Sequence, residues 1–336
     1  MLDHGGRLLR AALETGTRVE DWVDLSTGIN PVPWPVPLLP PTCWSRLPED
    51  EDDLSAAACE YYGTGSLLPV NGTQSAIQAL PHLRSAGRVA VLSPAYAEHA
   101  HGWRRAGHEV IEADVPGLDR CIDDCDVVIV INPNNPTACI IEPERLLAWL
   151  ERLQHRRGWL IVDEAFMDAT PEGSLAGHGG REGLIILKSF GKFFGCPGAR
   201  LGFVAAPSDL LHALHDRLGP WAVSGPARWV AQQAFADHGW QADTRRQLKQ
   251  SSQRLAELLT GQGLVPSGGT ALFQWVCTPF AQAIHDHFRT RCILLRLFGQ
   301  PASLRFGLPA SDEAWDRLAQ ALEDVPCGPG LPGVPQ

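Results

Sequence analysis

The sequence predicts an α/β protein with a large domain, built on a mostly parallel sheet flanked by helices, and a smaller α+β domain. The chain has 336 residues, which is enough for two domains of ordinary size. Between about residues 65 and 205, short apolar runs alternate with helical patterns, as is typical of a parallel sheet covered by helices. After residue 208, long helical patterns are followed by shorter strands and helices, which indicates the second domain.

We predict four segments along the chain. An N-terminal arm over residues 1–40 contributes to the small domain and to the active site, residues 41–208 form the large domain, and residues 209–325 form the small domain. Residues 326–336 are rich in proline and glycine, which predicts a disordered tail. Within the small domain, the Gly268-Gly269 pair predicts a turn next to a strand.

Composition excludes several classes of partner. The formal net charge of -10 argues against a nucleic acid or an anionic membrane surface, so an anionic substrate would have to be bound by a local cluster of arginines. No apolar run is long enough to span a membrane, and the first residues carry charges rather than the apolar run of a signal peptide. The nine cysteines include no C-x-x-C pair, which favours reduced thiols in a cytoplasmic protein and predicts no metal site.

The most informative stretch is LKSFGKFFGCPGARLGF, which contains one lysine in a glycine-rich turn. Lys192 lies three residues after Ser189 and eight residues before Arg200. The adjoining phenylalanines predict apolar surroundings, which disfavour the ammonium form and make the amine a better nucleophile toward an aldehyde. A serine hydroxyl and an arginine guanidinium can together bind an anion. In isolation, a lysine and an arginine at this spacing are more often ordinary loop residues.

Polar residues also follow several predicted strands. Gly72 and Thr73 stand where a short apolar run meets a helix, and the backbone N–H groups of a helix start can bind a phosphate; a simple helix cap is the alternative. Tyr96 and Asn135 each follow a buried strand, and Asp163 ends another one. A carboxylate at the end of an apolar strand is costly unless it is paired.

The whole Lys192 stretch resembles the lysine segment of fold-type I pyridoxal-phosphate enzymes, S-x-x-K-x-x-G-x-x-G-x-R-x-G. Each fixed position of that pattern is filled, by Ser189, Lys192, Gly195, Gly198, Arg200 and Gly202. The resemblance implies an aspartate aminotransferase-like fold and pyridoxal 5'-phosphate as the cofactor. It also implies that Lys192 attaches covalently to the cofactor, while Ser189 and Arg200 hold its phosphate together with the helix start at Gly72 and Thr73.

The same resemblance implies roles for the residues at the strand ends. Tyr96 would stack on the cofactor ring, and Asn135, within an N-P-x-N-P-T sequence, would donate to its 3-oxygen. Asp163 would bind the protonated ring nitrogen and keep the ring an effective electron sink. Lys192 and Asp163 are therefore the predicted catalytic residues.

Three further residues are predicted to bind the substrate. The LSTGINP sequence resembles the N-terminal arm of histidinol-phosphate aminotransferases and of threonine-phosphate decarboxylases, which would place Asn30 near the substrate. Arg305 matches the arginine that holds the α-carboxylate in these enzymes, and Arg296 is a second candidate anion ligand. An outward-facing arginine in an alternating strand is the alternative for Arg305.

Two positions depart from the usual aminotransferase pattern. Phe166 stands where most of these enzymes have a tyrosine that binds the 3-oxygen, and Leu47 replaces a tyrosine that reaches the cofactor phosphate of the partner subunit. The phenylalanine also occurs in the L-threonine-O-3-phosphate decarboxylases of cobalamin biosynthesis, which the chain resembles in its arm, its VDEAF strand and its CPGARLG turn.

This second resemblance implies the decarboxylation of L-threonine O-3-phosphate to (R)-1-amino-2-propanol O-2-phosphate, and a homodimer. A histidinol-phosphate-type aminotransferase is the alternative. A cofactor-binding partner subunit without turnover is a further alternative, which the full set of Lys192, Asp163 and Arg200 disfavours.

Overall fold

The structure, a computed structural model, describes residues 4–325, and the predicted tail over residues 326–336 lies outside the described residues. The chain divides into two compact units. The larger unit consists of Pro33–Asn135 and Cys139–Asp243, and the smaller unit consists of the chain up to Val32, Pro136–Ala138 and the chain from Thr244 onward. The domain boundary predicted at residues 208 and 209 stays a prediction, and the compact units divide the chain within a long helix at residue 243.

The strands lie in chain order at β1 Val23–Asp24, β2 Leu68–Val70, β3 Arg88–Leu92, β4 Glu109–Ala113, β5 Val127–Ile131, β6 Trp159–Asp163, β7 Leu184–Ser189, β8 Gly202–Ala205, β9 Gly268–Thr270, β10 Phe273–Cys277, β11 Ile293–Leu294, β12 Arg296–Phe298 and β13 Ser303–Gly307. The α-helices lie at α1 Leu8–Thr15, α2 Thr42–Ser45, α3 Leu54–Tyr62, α4 Gly72–Ala79, α5 Glu98–Arg105, α6 Val115–Cys121, α7 Pro143–Gln154, α8 Phe190–Phe193, α9 Ser208–Leu218, α10 Gly225–Ala236, α11 His238–Gly261, α12 Ala281–Thr290 and α13 Asp312–Glu323.

The larger unit is built on a seven-stranded sheet in the order β2-β8-β7-β6-β5-β3-β4. The five strands from β7 to β4 in that order are mutually parallel, whereas β8 runs antiparallel to both β7 and β2. The predicted mostly parallel sheet is confirmed. The VVIVI sequence of β5 is buried along its whole length, as expected for a strand covered on both faces.

Two apolar clusters cover the two faces of this sheet. On one face, Ile77 of α4, Trp103 of α5 and Leu211 of α9 pack against alternate strand residues such as Ile161 and Leu187. On the other face, α6 and α7 supply Leu118, Leu146 and Trp149, which pack against the intervening strand residues. Because strand side chains alternate between faces, this division determines which helices the residues at the strand ends meet.

The smaller unit contains a four-stranded antiparallel sheet in the order β12-β13-β10-β9, and a parallel pair of β1 and β11. The prediction of a turn at Gly268-Gly269 is wrong, because both residues belong to β9 and the turn follows at residues 271 and 272. The reason is a close backbone approach: a Cβ at Gly268 would overlap the carbonyl oxygen of Thr137.

Within residues 4–325, no helix is both long and apolar enough to cross a membrane. Over the same residues, no group of three or more histidine, cysteine and acidic side chains is arranged to hold a metal ion.

Candidate active site

Asp163 and Ser189 are the last residues of two adjacent parallel strands, β6 and β7. Both follow the alternation of Ile161 and Leu187, so their side chains lie on the sheet face that α4 and α5 cover. The carboxyl ends of parallel strands are where open α/β sheets place their ligands. The site is therefore organised at the junction between this sheet edge and the first turns of the two helices.

Asp163 is buried, with 4% of its surface exposed, and two hydrogen bonds hold its side-chain carboxylate. His99 Nε2 lies 2.9 Å from Asp163 Oδ2, and the backbone N–H of Ala165 donates to Oδ1 at 3.0 Å. An ionised carboxylate only accepts hydrogen bonds, so His99 donates from Nε2. These contacts meet the requirement that a buried carboxylate be paired.

His99 is a site residue that the sequence analysis missed. It lies in the first turn of α5, and only 1% of its surface is exposed. The available signal was its position on the helix: His99, Ala100 and Trp103 form the buried stripe of α5. A histidine on an apolar helix face, three residues after the predicted ring-stacking tyrosine, requires a buried polar partner.

Tyr96 lies just before α5 and is held from two sides. Its hydroxyl donates to Gln74 Oε1 at 3.1 Å, and Gln74 Nε2 donates to Glu98 Oε2 at 2.8 Å. The ring of His99 meets the phenol ring edge-on, with centroids 6.3 Å apart. Burial, together with the charges of Glu98 and Asp163, raises the pKa of Tyr96 to about 12, so the phenol is protonated at neutral pH.

Four of the predicted phosphate ligands converge at the start of α4. Gly72 is the first residue of this helix, and a Cβ placed on it would lie 2.5 Å from Nη2 of Arg200. A Cβ on Gly202 would lie 2.8 Å from the backbone nitrogen of Thr73, and Gly202 pairs with Ser189 across β8 and β7. The missing side chains at these glycines let a guanidinium, a hydroxyl and helix N–H groups approach one another, which is the donor set of an anion site.

Lys192 is half-buried in α8, the short helix that follows β7. Its Nζ lies 5.5 Å from the ring centroid of Phe166, which follows Asp163 by three residues. This contact places the amine close to the carboxyl end of β6. The apolar surroundings predicted for the lysine therefore include Phe166, a residue from a different strand end.

Aromatic packing fixes the turn that carries Lys192. Phe190 and Phe194 are stacked with centroids 4.6 Å apart, and Phe194 also stacks on Trp240 at 5.7 Å. The backbone N–H of Trp34, from the proline-rich arm, donates to the carbonyl of Phe194 at 2.9 Å. The indole of Trp34 donates to Asp237 at 3.1 Å. Both the backbone and the side chain of Trp34 therefore hold the arm in place.

Asn135 lies in the turn that follows β5, and the residues before it hold this turn in place. The side chain of Asn132 donates to the carbonyl of Ile141 and accepts from its N–H, at 3.0 and 2.8 Å. Asn134 donates from its side chain to the carbonyl of Pro94 at 2.9 Å. Asn135 is half-buried at the carboxyl end of a central strand, and its predicted bond to the cofactor stays a prediction.

In the smaller unit, Arg296 and Arg305 face each other across β12 and β13. Arg305 is buried, donates from Nη2 to the carbonyl of Ser26 at 2.7 Å, and lies over the ring of Phe273. Burial and the adjoining charge of Arg296 lower the pKa of Arg305 to about 10, and Asp24 opposes this shift. Two adjacent guanidinium groups with one carboxylate nearby favour an anion.

Asn30 belongs to the same unit and is buried, with its side-chain oxygen accepting from the N–H of Val32 at 3.0 Å. It lines a cavity of about 290 Å³ together with residues of α11 and the start of α13. Its predicted contact with the substrate stays a prediction.

The residues of the larger unit fit pyridoxal 5'-phosphate. The glycine at the start of α4 leaves room for a phosphate beside Arg200, Tyr96 supplies an aromatic face, and Asp163 supplies a buried carboxylate. Lys192 supplies an amine beside an apolar ring. A phosphorylated aromatic aldehyde with a basic ring nitrogen is complementary to this set of groups.

The family model for "Aminotransferase class I and II" matches residues 47–322 of the chain. The chain belongs to the class I and II aminotransferase family. Every residue assigned above to the larger-unit site lies within the matched range.

Two curated relatives match nearly the whole chain. A threonine-phosphate decarboxylase from Pseudomonas aeruginosa is 56% identical over 96% of this chain and 97% of its own length. A threonine-phosphate decarboxylase from a Sinorhizobium species is 45% identical over 95% of this chain and 97% of its own length.

A solved structure of the same fold is a histidinol-phosphate aminotransferase from Sinorhizobium meliloti in complex with pyridoxal-5'-phosphate. It aligns with a TM-score of 0.80, covers 96% of this chain and 94% of its own, and is 22% identical. The predicted fold class is therefore confirmed.

Proposed function

We propose that this protein is a pyridoxal-phosphate-dependent decarboxylase in cobalamin biosynthesis. It converts L-threonine O-3-phosphate to (R)-1-amino-2-propanol O-2-phosphate: the bond between Cα and the carboxylate breaks, carbon dioxide leaves, and a proton replaces it on Cα. The observation that carries this proposal is the 56% identity, over 96% of the chain, to a threonine-phosphate decarboxylase. The histidinol-phosphate aminotransferases among the relatives are about half as similar, at 28–31% identity over shorter stretches.

The larger unit holds the cofactor. When bound, pyridoxal phosphate accepts the electron pair of the bond that breaks at Cα. Arg200, Ser189 and the N–H groups at Gly72 and Thr73 would bind its phosphate, and Lys192 would supply the amine that bonds to the aldehyde carbon of the cofactor.

Asp163 binds the ring nitrogen and Tyr96 supports the ring. The hydrogen bond from His99, at 2.9 Å, keeps the carboxylate of Asp163 in one orientation. Asn135 donates to the 3-oxygen of the cofactor in this assignment.

Lys192 moves the proton that replaces the carboxylate. Phe166, beside its Nζ, has no hydroxyl, so this neighbour neither donates nor accepts a proton. This arrangement supports Lys192 as the proton donor to Cα.

The smaller unit holds the anionic ends of the substrate. Arg305, buried and fixed by the carbonyl of Ser26, binds one anion, and the half-buried Arg296 binds the other. Asn30 contributes at the end of the N-terminal arm. Which bond at Cα breaks depends on how these anions are held, so the arginines set the reaction as well as the affinity.

The active form in this proposal is a cytoplasmic homodimer. In the larger unit, Leu38 is 98% exposed, Trp44 is 72% exposed, and Leu47 and Trp221 are also largely exposed. A second chain that covered these side chains would remove their apolar surface from water, which favours association. Sedimentation should give twice the chain mass of 36.5 kDa, and a monomer at all concentrations would refute the dimer.

The Lys192 assignment has a direct test. Lys192→Ala should abolish both turnover and the visible absorption band of the bound cofactor. The control is Lys249→Ala, which removes an exposed lysine of α11 and should leave both unchanged. Turnover retained in Lys192→Ala would overturn the assignment.

A further inference from the structure

Gln74 is joined to two side chains from a different part of the chain. It is the third residue of α4, its Oε1 accepts from the Tyr96 hydroxyl at 3.1 Å, and its Nε2 donates to Glu98 at 2.8 Å. Because the Glu98 carboxylate can only accept, the amide NH₂ group must face Glu98. The amide oxygen then faces Tyr96, so the phenol has to be the donor. The direction of both hydrogen bonds is fixed by the charge of Glu98.

This pair of hydrogen bonds links two parts of the candidate site. Gln74 directly follows Thr73 at the anion-binding start of α4. Beyond Gln74, the ring of Tyr96 meets the ring of His99, and His99 in turn holds Asp163 at 2.9 Å. A continuous series of contacts thus runs from the phosphate end of the site to the carboxylate at its other end.

We propose that Gln74 is a positioning residue, which fixes the phenol of Tyr96 so that its ring face, and not its hydroxyl, is presented to the cofactor. Glu98 fixes the amide of Gln74 in turn. The proposal deepens the proposed function and rests on it, because the group that Tyr96 supports is pyridoxal phosphate.

The physical basis is the restriction of one side chain. A tyrosine at a loop–helix junction can rotate about two side-chain torsions. The hydrogen bond of its hydroxyl to Gln74 and the contact of its ring with His99 together select one orientation. The same bond engages the phenol proton, which keeps the hydroxyl away from proton transfer at Cα. Without Gln74, the ring would have to be ordered when the cofactor binds, which lowers the affinity.

The test is a double-mutant cycle on cofactor affinity. Dissociation constants for pyridoxal phosphate are measured by tryptophan fluorescence for the unaltered protein, Gln74→Ala, Tyr96→Phe and the double variant, with visible circular dichroism to record the environment of the bound cofactor. Gln74→Ala should weaken binding about 3- to 10-fold, the range of one hydrogen bond. In the Tyr96→Phe background, the same change should have no effect, because the hydroxyl is already absent.

A matched control and a swap sharpen the test. Gln78 is an exposed glutamine of α4, one turn after Gln74, and Gln78→Ala should leave both affinity and circular dichroism unchanged. Gln74→Glu should weaken binding, because two carboxylates then face each other. Combining it with Glu98→Gln restores one donor and one acceptor, and should return the affinity to within about 3-fold of the unaltered protein.

The outcomes separate this inference from the proposed function. The role of Gln74 is overturned if Gln74→Ala lowers cofactor affinity equally with and without the Tyr96 hydroxyl. It is also overturned if the Gln74→Glu and Glu98→Gln swap does not restore the affinity. Either result would stand even if the protein decarboxylates threonine phosphate. A cycle with the expected coupling supports the role even if the unaltered protein acts on another substrate. A protein that binds no pyridoxal phosphate overturns both.

Discussion

His99 Nε2 lies 2.9 Å from Asp163 Oδ2, and both side chains are buried at the carboxyl end of β6. A hydrogen bond to a charged group contributes about 1.5–3 kcal/mol, so replacing His99 by leucine should weaken cofactor binding or turnover on the order of 10-fold or more. The measurements are the dissociation constant for pyridoxal phosphate and kcat/KM of the loaded protein.

The control for this change is His108→Leu. His108 is also buried in the larger unit, but its imidazole bonds to the carbonyl of Pro81 and to the N–H of Gly87. Its replacement should lower the free energy of unfolding with little change in cofactor affinity. Equal effects of the two substitutions on affinity would contradict a specific role for His99.

Gly72→Ala should disrupt the phosphate site. Gly72 has a φ of +66°, and a Cβ on it would lie 2.5 Å from Arg200 Nη2, so the guanidinium would have to move. We expect cofactor affinity to fall about 10-fold or more, since a charge-assisted contact is displaced. The dissociation constant for pyridoxal phosphate checks this.

Gly63→Ala is the matched control for Gly72→Ala. Gly63 has nearly the same φ, +65°, with nothing within 4 Å of the Cβ position. Both substitutions carry the backbone cost of a left-handed residue, about 1–2 kcal/mol, but only one displaces Arg200. If Gly63→Ala weakened cofactor binding as much as Gly72→Ala, the steric explanation would be wrong.

Lys188→Met should strongly destabilise the larger unit. Lys188 Nζ lies 2.9 Å from Glu164 and 3.3 Å from Asp168, and all three side chains are almost wholly buried. Removing the lysine leaves two carboxylates buried without it, which costs about 3–5 kcal/mol of unfolding free energy. Denaturant unfolding measures this loss, and the added change Glu164→Gln should recover part of it.

The same ion pair predicts a pH dependence. Burial works to lower the pKa of Lys188, but Glu164 and Asp168 outweigh it and raise the pKa above the ordinary value of 10.5. A raised pKa in the folded state means that the stabilisation is present below pH 10.5 and is lost as the pH rises through the folded value. The stability difference between the unaltered protein and Lys188→Met should therefore be constant near neutral pH and shrink in strong alkali. A difference that grows in alkali would contradict the pairing.

Arg296→Met should make the protein more stable and less active. Arg296 faces Arg305 directly across two strands, and like charges in this arrangement are destabilising by about 0.2–1 kcal/mol. Removing Arg296 should raise the unfolding free energy by that amount, while KM for the phosphorylated substrate increases. Lys249→Met removes an exposed positive charge of α11 and should change neither. A destabilised Arg296→Met would show that the arginine is held for structure.

The residues that the sequence predicted most directly lie where a local pattern meets a strand end. Asp163 ends an apolar run, and Ser189, Lys192 and Arg200 stand in one glycine-rich segment of a known pattern, so local sequence was sufficient to nominate them. The parallel sheet was predictable for the same reason, because buried runs and helical patterns alternate along the chain.

The residues that were missed act through partners distant in sequence. The missed His99 binds Asp163, which is 64 residues away in the sequence, and the missed Gln74 binds Tyr96, which is 22 residues away. Neither pairing therefore has a local sequence pattern. Gly268 was misassigned to a turn because its reason for being glycine, the approach of the Thr137 carbonyl, is 131 residues away in sequence (268 minus 137). Such tertiary contacts override local preferences.

The most direct test of the proposed function is a product assay with pyridoxal phosphate and L-threonine O-3-phosphate, with and without 2-oxoglutarate. The proposal predicts carbon dioxide and aminopropanol phosphate in equal amounts, whether or not the oxoacid is present. Release of no carbon dioxide, with glutamate formed from histidinol phosphate and 2-oxoglutarate, would contradict it and identify an aminotransferase.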